Sequence, residues 1–330
     1  MDELEAECAQ HKRTGNHEAL VEAAGNLVNY ALRLAINGER VEKTYKHIVD
    51  ALSLATQNIT GSRYKNTAYS EAFVVLGKIH ETGIITEPNL KKAYICYKRA
   101  AEYSSPFGCY RLAYFYEHGI ACRKNLHKAG HFYKLAANGG SLRAVHKYAM
   151  LLLEGCFGCR QDIKGGVFYL EQARQLSTPE YPHALYDLGL CHEGIPLVQG
   201  HIIEDYPYSL ALYQEGEKLG CPRSILRLGL AYHYGELGLE ANQETAKTYY
   251  TRIAEVSPQA CFEMFKLERN ADNKNESIDW VKQAAQLGHP DAAAIYAAYL
   301  DTRNQTHLDK KEAKWWYTIA ESRGAKVANK

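Results

Sequence analysis

One sequence pattern returns every 36 to 40 residues over most of this 330-residue chain. Each copy carries a large residue followed directly by a small one, and another small residue stands five places before the small member. Repetition at such a period is typical of helix-pair arrays, in which each pair buries its apolar face against its neighbours. The five large–small dipeptides are Leu76-Gly77, Leu112-Ala113, Tyr148-Ala149, Leu188-Gly189 and Leu228-Gly229.

The second half of each copy predicts a second helix that packs on the first. It opens with a pair such as Lys92-Ala93, and a tyrosine stands four residues after the small member. Small residues let two helix backbones approach closely, and a tyrosine ring can fill the remaining gap. A bulky residue in place of the small one would overpack the contact, at a cost of about 1–3 kcal/mol. The sequence therefore predicts an all-α fold, an α-solenoid superhelix of antiparallel helix pairs. The tyrosines concerned are Tyr97, Tyr133, Tyr169, Tyr213 and Tyr250.

The completeness of the pattern divides the chain into four segments. Residues 1–67 are helical in pattern but lack the repeat glycines, so we interpret them as an N-terminal cap or a degenerate repeat. Residues 68–257 hold the five clear repeats. Residues 258–288 form a degenerate sixth repeat with Phe265 in the small position, where we expect the superhelix to be least regular. Residues 289–330 contain a C-terminal repeat and cap.

Charge and composition argue against several classes of protein. Lysine and arginine number 39 against 38 aspartate and glutamate, so the chain lacks the strong positive charge typical of nucleic-acid-binding proteins. No apolar run approaches the roughly 18 residues of a membrane span. The charged N-terminus is unlike a signal peptide, and the last four residues contain no cysteine for prenylation. We therefore expect a cytoplasmic protein with no direct membrane insertion.

The sequence contains no motif that predicts catalysis, a cofactor or a metal. The nine cysteines hold no fixed pair of positions in the repeat, so we expect free thiols in a reducing compartment. Cys156 and Cys159 form a Cys-x-x-Cys in a loop. A four-cysteine zinc site with Cys122 and Cys191 from neighbouring copies is conceivable, but a loop with incidental thiols is the favoured interpretation. There is no His-Glu-x-x-His motif and no phosphate-binding loop. We expect a protein that is not an enzyme and carries no cofactor.

Partner-binding residues can be predicted from repeat positions that packing does not fix. The helix-pair pattern resembles the tetratricopeptide repeat, and this resemblance implies that the positions three before, one after and four after the small residue line a concave groove. Tyrosine is unusually abundant, 25 against 8 phenylalanines, and its rigid ring suits interfaces. A tyrosine-rich groove is one interpretation, and burial of the same rings between neighbouring copies is the other. The predicted groove residues are Tyr110, Tyr114, Glu117, His146, Met150, Tyr186, Leu190, Glu193, Leu226 and His233.

The pattern A-x3-LG-x2-Y-x2-G, followed by KA-x3-Y-x2-AA-x2-G, resembles the Sel1-like repeat, a relative of the tetratricopeptide repeat, over residues 68–324. A narrower resemblance links EDYPY at 204–208 and RLGLAYHYG at 227–235 to the fungal chitin synthase regulators. The segment EHGIACRKN at 117–125 is also similar to that family, with Asn125 in place of its aspartate. Members of the family are longer, with extensive flanks, and some end in a prenylation box.

This resemblance implies a non-catalytic scaffold that binds a chitin synthase, or a peptide segment of it, in its groove. The scaffold would activate or position that enzyme and would reach the plasma membrane through it. Neither nucleic acid nor a small-molecule substrate is an expected partner. The alternative is an adaptor for a different client, in signalling or membrane-protein degradation. An enzyme of the cysteine-rich Sel1 type comes third, because the regular cysteine pairs of that type are missing.

Overall fold

Regular secondary structure in the computed structural model is α-helical throughout the residues that it describes. The chain divides into two compact units, Met1–Leu176 and Ser177–Lys330. Most of the predicted N-terminal cap lies outside the described residues. The described residues are 2–14, 19, 22–23, 26, 67–83, 87–270, 274–303 and 307–325.

The described part of the first unit consists of α1 and three helix pairs. In each pair the two helices are consecutive in the chain and pack against each other: α2 with α3, α4 with α5, and α6 with α7. The helices are α1 (Asp2–Thr14), α2 (Thr67–Thr82), α3 (Leu90–Glu102), α4 (Pro106–His118), α5 (Leu126–Asn138), α6 (Leu142–Glu154) and α7 (Ile163–Gln175).

The described part of the second unit consists of four helix pairs built in the same way. Together with the first unit they give one pair for each predicted copy of the repeat, including the eroded sixth. The helices are α8 (His183–His192), α9 (Tyr206–Lys218), α10 (Pro222–Tyr234), α11 (Gln243–Ile253), α12 (Pro258–Asn270), α13 (Lys274–Leu287), α14 (Pro290–Arg303) and α15 (His307–Ser322).

A buried tyrosine on the second helix fills the gap beside the small residue of the first helix. A β-carbon added to that small residue would lie only 2.5–2.6 Å from the ring, so only glycine leaves room at these positions. The rings are almost fully buried, and the packing predicted from the sequence is confirmed for them. We call Tyr97, Tyr133, Tyr213 and Tyr250 the wedge tyrosines. The glycine–tyrosine contacts are Gly77 with Tyr97, Gly189 with Tyr213 and Gly229 with Tyr250.

The third copy departs from the predicted alignment by one residue. In the first five copies, the second helix begins after an asparagine or aspartate whose side chain caps it, and the buried small residue stands four places later. Asp162 caps α7, so the buried residues are Gly166 and, four further on, Leu170. Tyr169 is only half-buried. The prediction that Tyr169 fills the gap was wrong, because the Lys-Gly dipeptide before Gly166 imitates the Lys-Ala of other copies.

The eroded sixth copy keeps its core by exchanging large and small residues. Phe265 is buried on the first helix of this pair. It belongs to one cluster with Ala284 and Ala285 of the second helix and with Trp316 of the seventh copy. Val281 of the same cluster stands where other copies have the wedge tyrosine, so the large side chain is on the first helix here and the smaller one on the second. The expected irregularity of the superhelix at this copy stays a prediction.

Candidate partner-binding face

The predicted groove residues lie along the first helices of copies two to five, and each unit carries its own set. We call these sets the first-helix faces. Most of their side chains are half-buried, whereas His146 is buried with 9% exposure. In the first unit, α4 contributes Tyr110, Tyr114 and Glu117, and α6 contributes His146 and Met150. In the second unit, α8 contributes Tyr186, Leu190 and Glu193, and α10 contributes Leu226 and His233.

Tyr110 and Tyr186 occupy equivalent positions and pack in the same way. Each ring lies against the wedge tyrosine of its own copy, with centroids 5.8 Å apart, on Tyr133 and on Tyr213 respectively. The guanidinium of Arg223 lies over the Tyr186 ring, 4.0 Å from its centroid. Partial burial raises the pKa of both Tyr110 and Tyr186. Both rings are thus held by the fold on one side and reach solvent on the other.

A polar cluster joins each of three glutamates to a wedge tyrosine and to a cation from the following copy. The Glu117 carboxylate accepts a hydrogen bond of 2.5 Å from Tyr133 Oη and one of 3.0 Å from Lys147 Nζ. We call this arrangement the Glu–Tyr–cation triad. The other two triads are Glu81 with Tyr97 and Arg111, and Glu193 with Tyr213 and Arg227.

Two predicted groove residues are therefore engaged within the protein. The Glu117 and Glu193 side chains are only 15% and 14% exposed. Burial, and then the neighbouring carboxylate, raises the pKa of Tyr133 and of Tyr213 far above its usual range. Each glutamate satisfies the hydroxyl of a buried tyrosine and links two copies, so its first role is structural.

In the fifth copy a histidine takes the place of the triad's glutamate, and a glutamate from the next copy takes the place of its cation. His233 stands where copies one, two and four have glutamate, with Nδ1 3.2 Å from Tyr250 Oη and 3.7 Å from a Glu263 carboxylate oxygen. That carboxylate is nearly buried and also accepts hydrogen bonds from Tyr234 Oη at 3.0 Å and Lys266 Nζ at 2.7 Å. Burial lowers the pKa of His233, and the Glu263 carboxylate opposes that shift. His233 is thus also part of an internal network.

The cations of the triads are functional residues that the sequence analysis missed. Arg111, Lys147 and Arg227 each stand two places before the small residue of a first helix. A basic residue recurring at that position was the signal available in the sequence. The sequence does not show that this residue pairs with a glutamate of the preceding copy, so from the sequence alone it resembles an ordinary exposed charge.

The loop cysteines form ordinary local contacts. Cys122 Sγ lies 3.6 Å from the Phe115 carbonyl oxygen, and Cys156 Sγ lies 3.4 Å from a Glu154 carboxylate oxygen. Burial raises the pKa of both Cys156 and Cys159. Within the part of the chain that the structure describes, no three His, Cys, Asp or Glu side chains are arranged to hold a metal ion. The four-cysteine zinc site therefore finds no support there.

None of the helices in the described ranges combines the length and the apolar character that crossing a membrane requires.

Curated relatives of this chain include several fungal regulators. It is 28% identical over 230 residues to "Chitin synthase regulatory factor 2" of Schizosaccharomyces pombe, covering 67% of this chain and 45% of the relative. It is 30% identical over 180 residues to "Chitin synthase regulator SKT5" of Malassezia restricta, covering 52% of this chain and 12% of the relative. The chain thus spans less than half the length of these relatives.

Two solved structures share the fold at low sequence identity. A protective antigen from uropathogenic Escherichia coli, c5321, with an SLR fold matches with a TM-score of 0.67 and 18% identity, over 96% of this chain and 68% of that one. A Sel1 repeat protein from Oxalobacter formigenes matches with a TM-score of 0.63 and 19% identity, over 99% of this chain and 87% of that one. Both matches support the helix-pair repeat architecture.

The family model for the Sel1 repeat accounts for most of the chain. It matches six segments, which cover the predicted copies one to six with small differences at their ends. The segments are residues 74–102, 106–141, 142–177, 182–221, 222–256 and 266–289. With its helix pairs, wedge tyrosines and these matches, the chain belongs to the Sel1 repeat family.

Proposed function

We propose that this protein is a non-catalytic regulator that binds a chitin synthase, or a peptide segment of it, through its first-helix faces. The observation that carries the proposal is the similarity to proteins named chitin synthase regulators, which extends over 67% of this chain for the Schizosaccharomyces pombe relative. Sel1 repeats supply a surface for holding another protein.

The geometry of the first-helix faces suits a partner peptide. Tyr110 and Tyr186 are braced from below by wedge tyrosines, so little side-chain entropy is lost when a partner covers them. Tyr114 is braced in a different way, because the Arg111 guanidinium lies 4.8 Å from its ring centroid. Rigid amphipathic rings of this kind are frequent interface anchors.

The proposal divides the predicted groove residues by role. Glu117, Glu193 and His233 are engaged with buried tyrosines, so in this proposal they position the faces and do not bind the partner directly. Direct contacts fall to half-buried residues that are free of such pairing. These are Tyr110, Tyr114, Met150, Tyr186, Leu190 and Leu226.

Co-purification from native cells with a double variant tests the proposal. Tyr110→Ala with Tyr186→Ala removes the equivalent ring from each unit and leaves the wedge tyrosines in place. We expect recovery of chitin synthase with the tagged variant to fall at least about tenfold, since one buried interface tyrosine contributes about 2 kcal/mol or more. Circular dichroism should show unchanged helicity.

The matched control removes one half-buried tyrosine, Tyr169, and one exposed tyrosine, Tyr206, from second helices. Tyr169→Ala with Tyr206→Ala also alters one ring in each unit, and recovery of chitin synthase should stay at the wild-type level. Failure of the wild-type protein to recover chitin synthase, while it recovers other proteins, would contradict the proposed client. Equal recovery by a well-folded double variant would contradict the proposed surface.

A further inference from the structure

The net charge of the chain is nearly neutral because its two units carry opposite net charges. The first unit contains 23 lysines and arginines against 17 aspartates and glutamates, and the second contains 16 against 21. The positive excess is concentrated in residues 87–176, where 14 basic residues face 6 acidic ones. An electrostatic partner of the first unit would therefore be an anion.

Four of these basic residues, all lysines, together with two histidines, lie on one side of the second helices of the first unit. The positions two before, two after and five after the buried small residue share one face of a helix. Eight of the nine residues at these positions are exposed lysine, histidine or large apolar residues, and the ninth, Glu171, is the acidic exception. We call this set the outer face. It comprises Lys91, Ile95 and Lys98 of α3, His127, His131 and Lys134 of α5, and Lys164 and Phe168 of α7.

Two large apolar side chains stand among these cations without being buried. Ile95 and Phe168 are each 57% exposed and occupy the same position, two after the small residue, on α3 and α7. The fold does not need them there, since neither reaches the core. Exposed apolar side chains surrounded by cations are typical of surfaces that lie on anionic membranes.

A cavity of about 600 Å³ opens beside α5 within this surface. Its walls are α5, one side of α6 and the loop between α6 and α7, and its lining includes His127, His131, Lys134 and Arg160. Neither Lys134 nor Arg160 has a carboxylate within ion-pair distance in the part of the chain that the structure describes. These cations therefore remain available to an external anion.

Backbone packing gives the cavity its shape. The loop lies directly on α5 because Gly130 and Gly158 have no side chains: a β-carbon at Gly130 would collide with the Phe157 carbonyl oxygen, and one at Gly158 with the His127 ring. The Asp162 carboxylate in the lining accepts a hydrogen bond of 2.9 Å from Gly165 N as the cap of α7. The Asp162 carboxylate is thus directed toward the N-terminus of α7, whose dipole stabilises its negative charge.

Two second helices of the second unit, α9 and α11, provide an internal comparison, because they have the same architecture without this charge. At the equivalent positions of α9 and α11 there is no lysine, arginine or histidine. The residues are Pro207, Ala211 and Gln214 of α9, and Glu244, Thr248 and Thr251 of α11. Folding of the repeat therefore does not require cations at these positions.

We propose that the outer face docks directly on an anionic lipid bilayer, with a phosphate-bearing headgroup in the cavity beside α5. Lysines attract the negatively charged surface, and Ile95 and Phe168 enter the boundary between headgroups and acyl chains. A soluble phosphopeptide would not need two exposed apolar side chains on a helix surface. This proposal concerns the protein alone and does not rest on the chitin synthase proposal.

Sedimentation with lipid vesicles tests the proposal on the purified full chain. We expect binding to vesicles of phosphatidylcholine with phosphatidylserine or phosphatidylinositol bisphosphate, and none to phosphatidylcholine alone. Binding should weaken as salt is added, because exposed charges are screened. The variant Lys91→Glu, Lys98→Glu and Lys134→Glu should lower the partition coefficient about a hundredfold, since each lysine near such a surface contributes about fivefold.

The control makes the same change in net charge on the second unit. Lys218→Glu, Lys282→Glu and Lys314→Glu alter exposed lysines, and vesicle binding should stay within about twofold of the wild type. Lysine-to-glutamine versions replace any variant whose helicity is reduced. An equal loss in the control variant would show that only net charge matters and would overturn the assigned face.

A second pair of variants tests the apolar contribution. Ile95→Ser with Phe168→Ser should weaken vesicle binding at least about tenfold, because two partly inserted apolar side chains are lost. Ile203→Ser with Val256→Ser, at exposed positions of the second unit, should have no effect.

Two further outcomes would overturn the proposal. One is wild-type protein that binds neither anionic vesicle. The other is protein that binds inorganic phosphate or a phosphorylated peptide but no vesicle, which would assign the cavity to a soluble phosphate.

Discussion

At the scale of single residues, the buried hydroxyl of the wedge tyrosine explains much of the polar chemistry of this protein. A tyrosine ring can be buried cheaply only if its hydroxyl finds a partner. Glu193 provides that partner for Tyr213, and Arg227 from the next copy compensates the glutamate, with 2.7 Å between Arg227 Nη2 and Glu193 Oε2. One hydrogen bond required by packing thus becomes a link between copies.

We expect Arg227→Ala to destabilise the protein by about 1–3 kcal/mol, because Glu193 loses its charged partner at a site where both side chains are only 14% exposed. The matched control is Arg252→Ala, which removes a 49% exposed arginine from Glu217 and should cost under about 1 kcal/mol. Urea unfolding followed by circular dichroism measures both. Equal losses of stability would show that the triad is an ordinary surface ion pair.

At the scale of the element, the capping residue determines which side chains of a second helix are buried. Asn125 and Asp162 each accept a hydrogen bond from the backbone N–H three residues on. The buried small residue follows at a fixed distance of four residues, at Ala129 and Gly166. The cap and the small residue are thus one signal, and the lysine before the small residue is not part of it.

This register predicts unequal losses of stability for two adjacent substitutions in α7. Leu170→Ala should destabilise the protein by about 2–5 kcal/mol, because Leu170 is fully buried. Tyr169→Ala should cost less than half as much, since its hydroxyl makes an exposed hydrogen bond to Asn138 at 3.2 Å and its ring is half-buried. Thermal and urea unfolding of both variants decide between the two alignments. A larger loss for Tyr169→Ala would favour the one predicted from the lysine.

The sequence was sufficient for elements that depend on local pattern and insufficient for those that depend on the partner helix. The helix pairs and four wedge tyrosines were predictable, because small and large residues alternate at fixed spacing. The engagement of Glu117 was not, since its partner Lys147 lies 30 residues away and belongs to another copy. The burial of His146 was also missed, because its position within the repeat indicates only that it lies on the first helix.

At the scale of the whole molecule, the two proposed surfaces lie on different helices of the repeat. The partner would contact first helices, such as α4 and α6, and the bilayer would contact second helices, such as α3 and α5. Neither surface requires residues of the other, so a single chain could hold both. We therefore expect the double variant Tyr110→Ala with Tyr186→Ala to weaken partner binding and not vesicle binding. The triple variant Lys91→Glu, Lys98→Glu and Lys134→Glu should weaken vesicle binding and not partner binding.

The wedge tyrosines also predict how the stability of the whole chain depends on pH. Burial raises the pKa of Tyr97, Tyr133, Tyr213 and Tyr250 in the folded state, whereas the unfolded chain ionises its tyrosines near pH 10. Below about pH 10 both states keep these protons, so this contribution to the free energy of unfolding is complete. Above about pH 10 the unfolded chain loses four protons that the folded chain retains. Stability should then fall by about 1.4 kcal/mol per pH unit for each wedge tyrosine, until the folded pKa is reached.

Urea unfolding at about pH 9 and about pH 11, with tyrosinate absorbance recorded in parallel, checks this expectation. The absorbance of the wedge tyrosines should appear only as the chain unfolds. Tyr250→Phe keeps the buried ring, gives up the 3.2 Å contact between the hydroxyl and His233 Nδ1, and removes one ionisable group. The variant should therefore lose stability less steeply with rising pH. A single absorbance transition near pH 10 for all 25 tyrosines in a chain that stays folded would contradict the argument, because it would mean that the rings of the four wedge tyrosines are open to solvent.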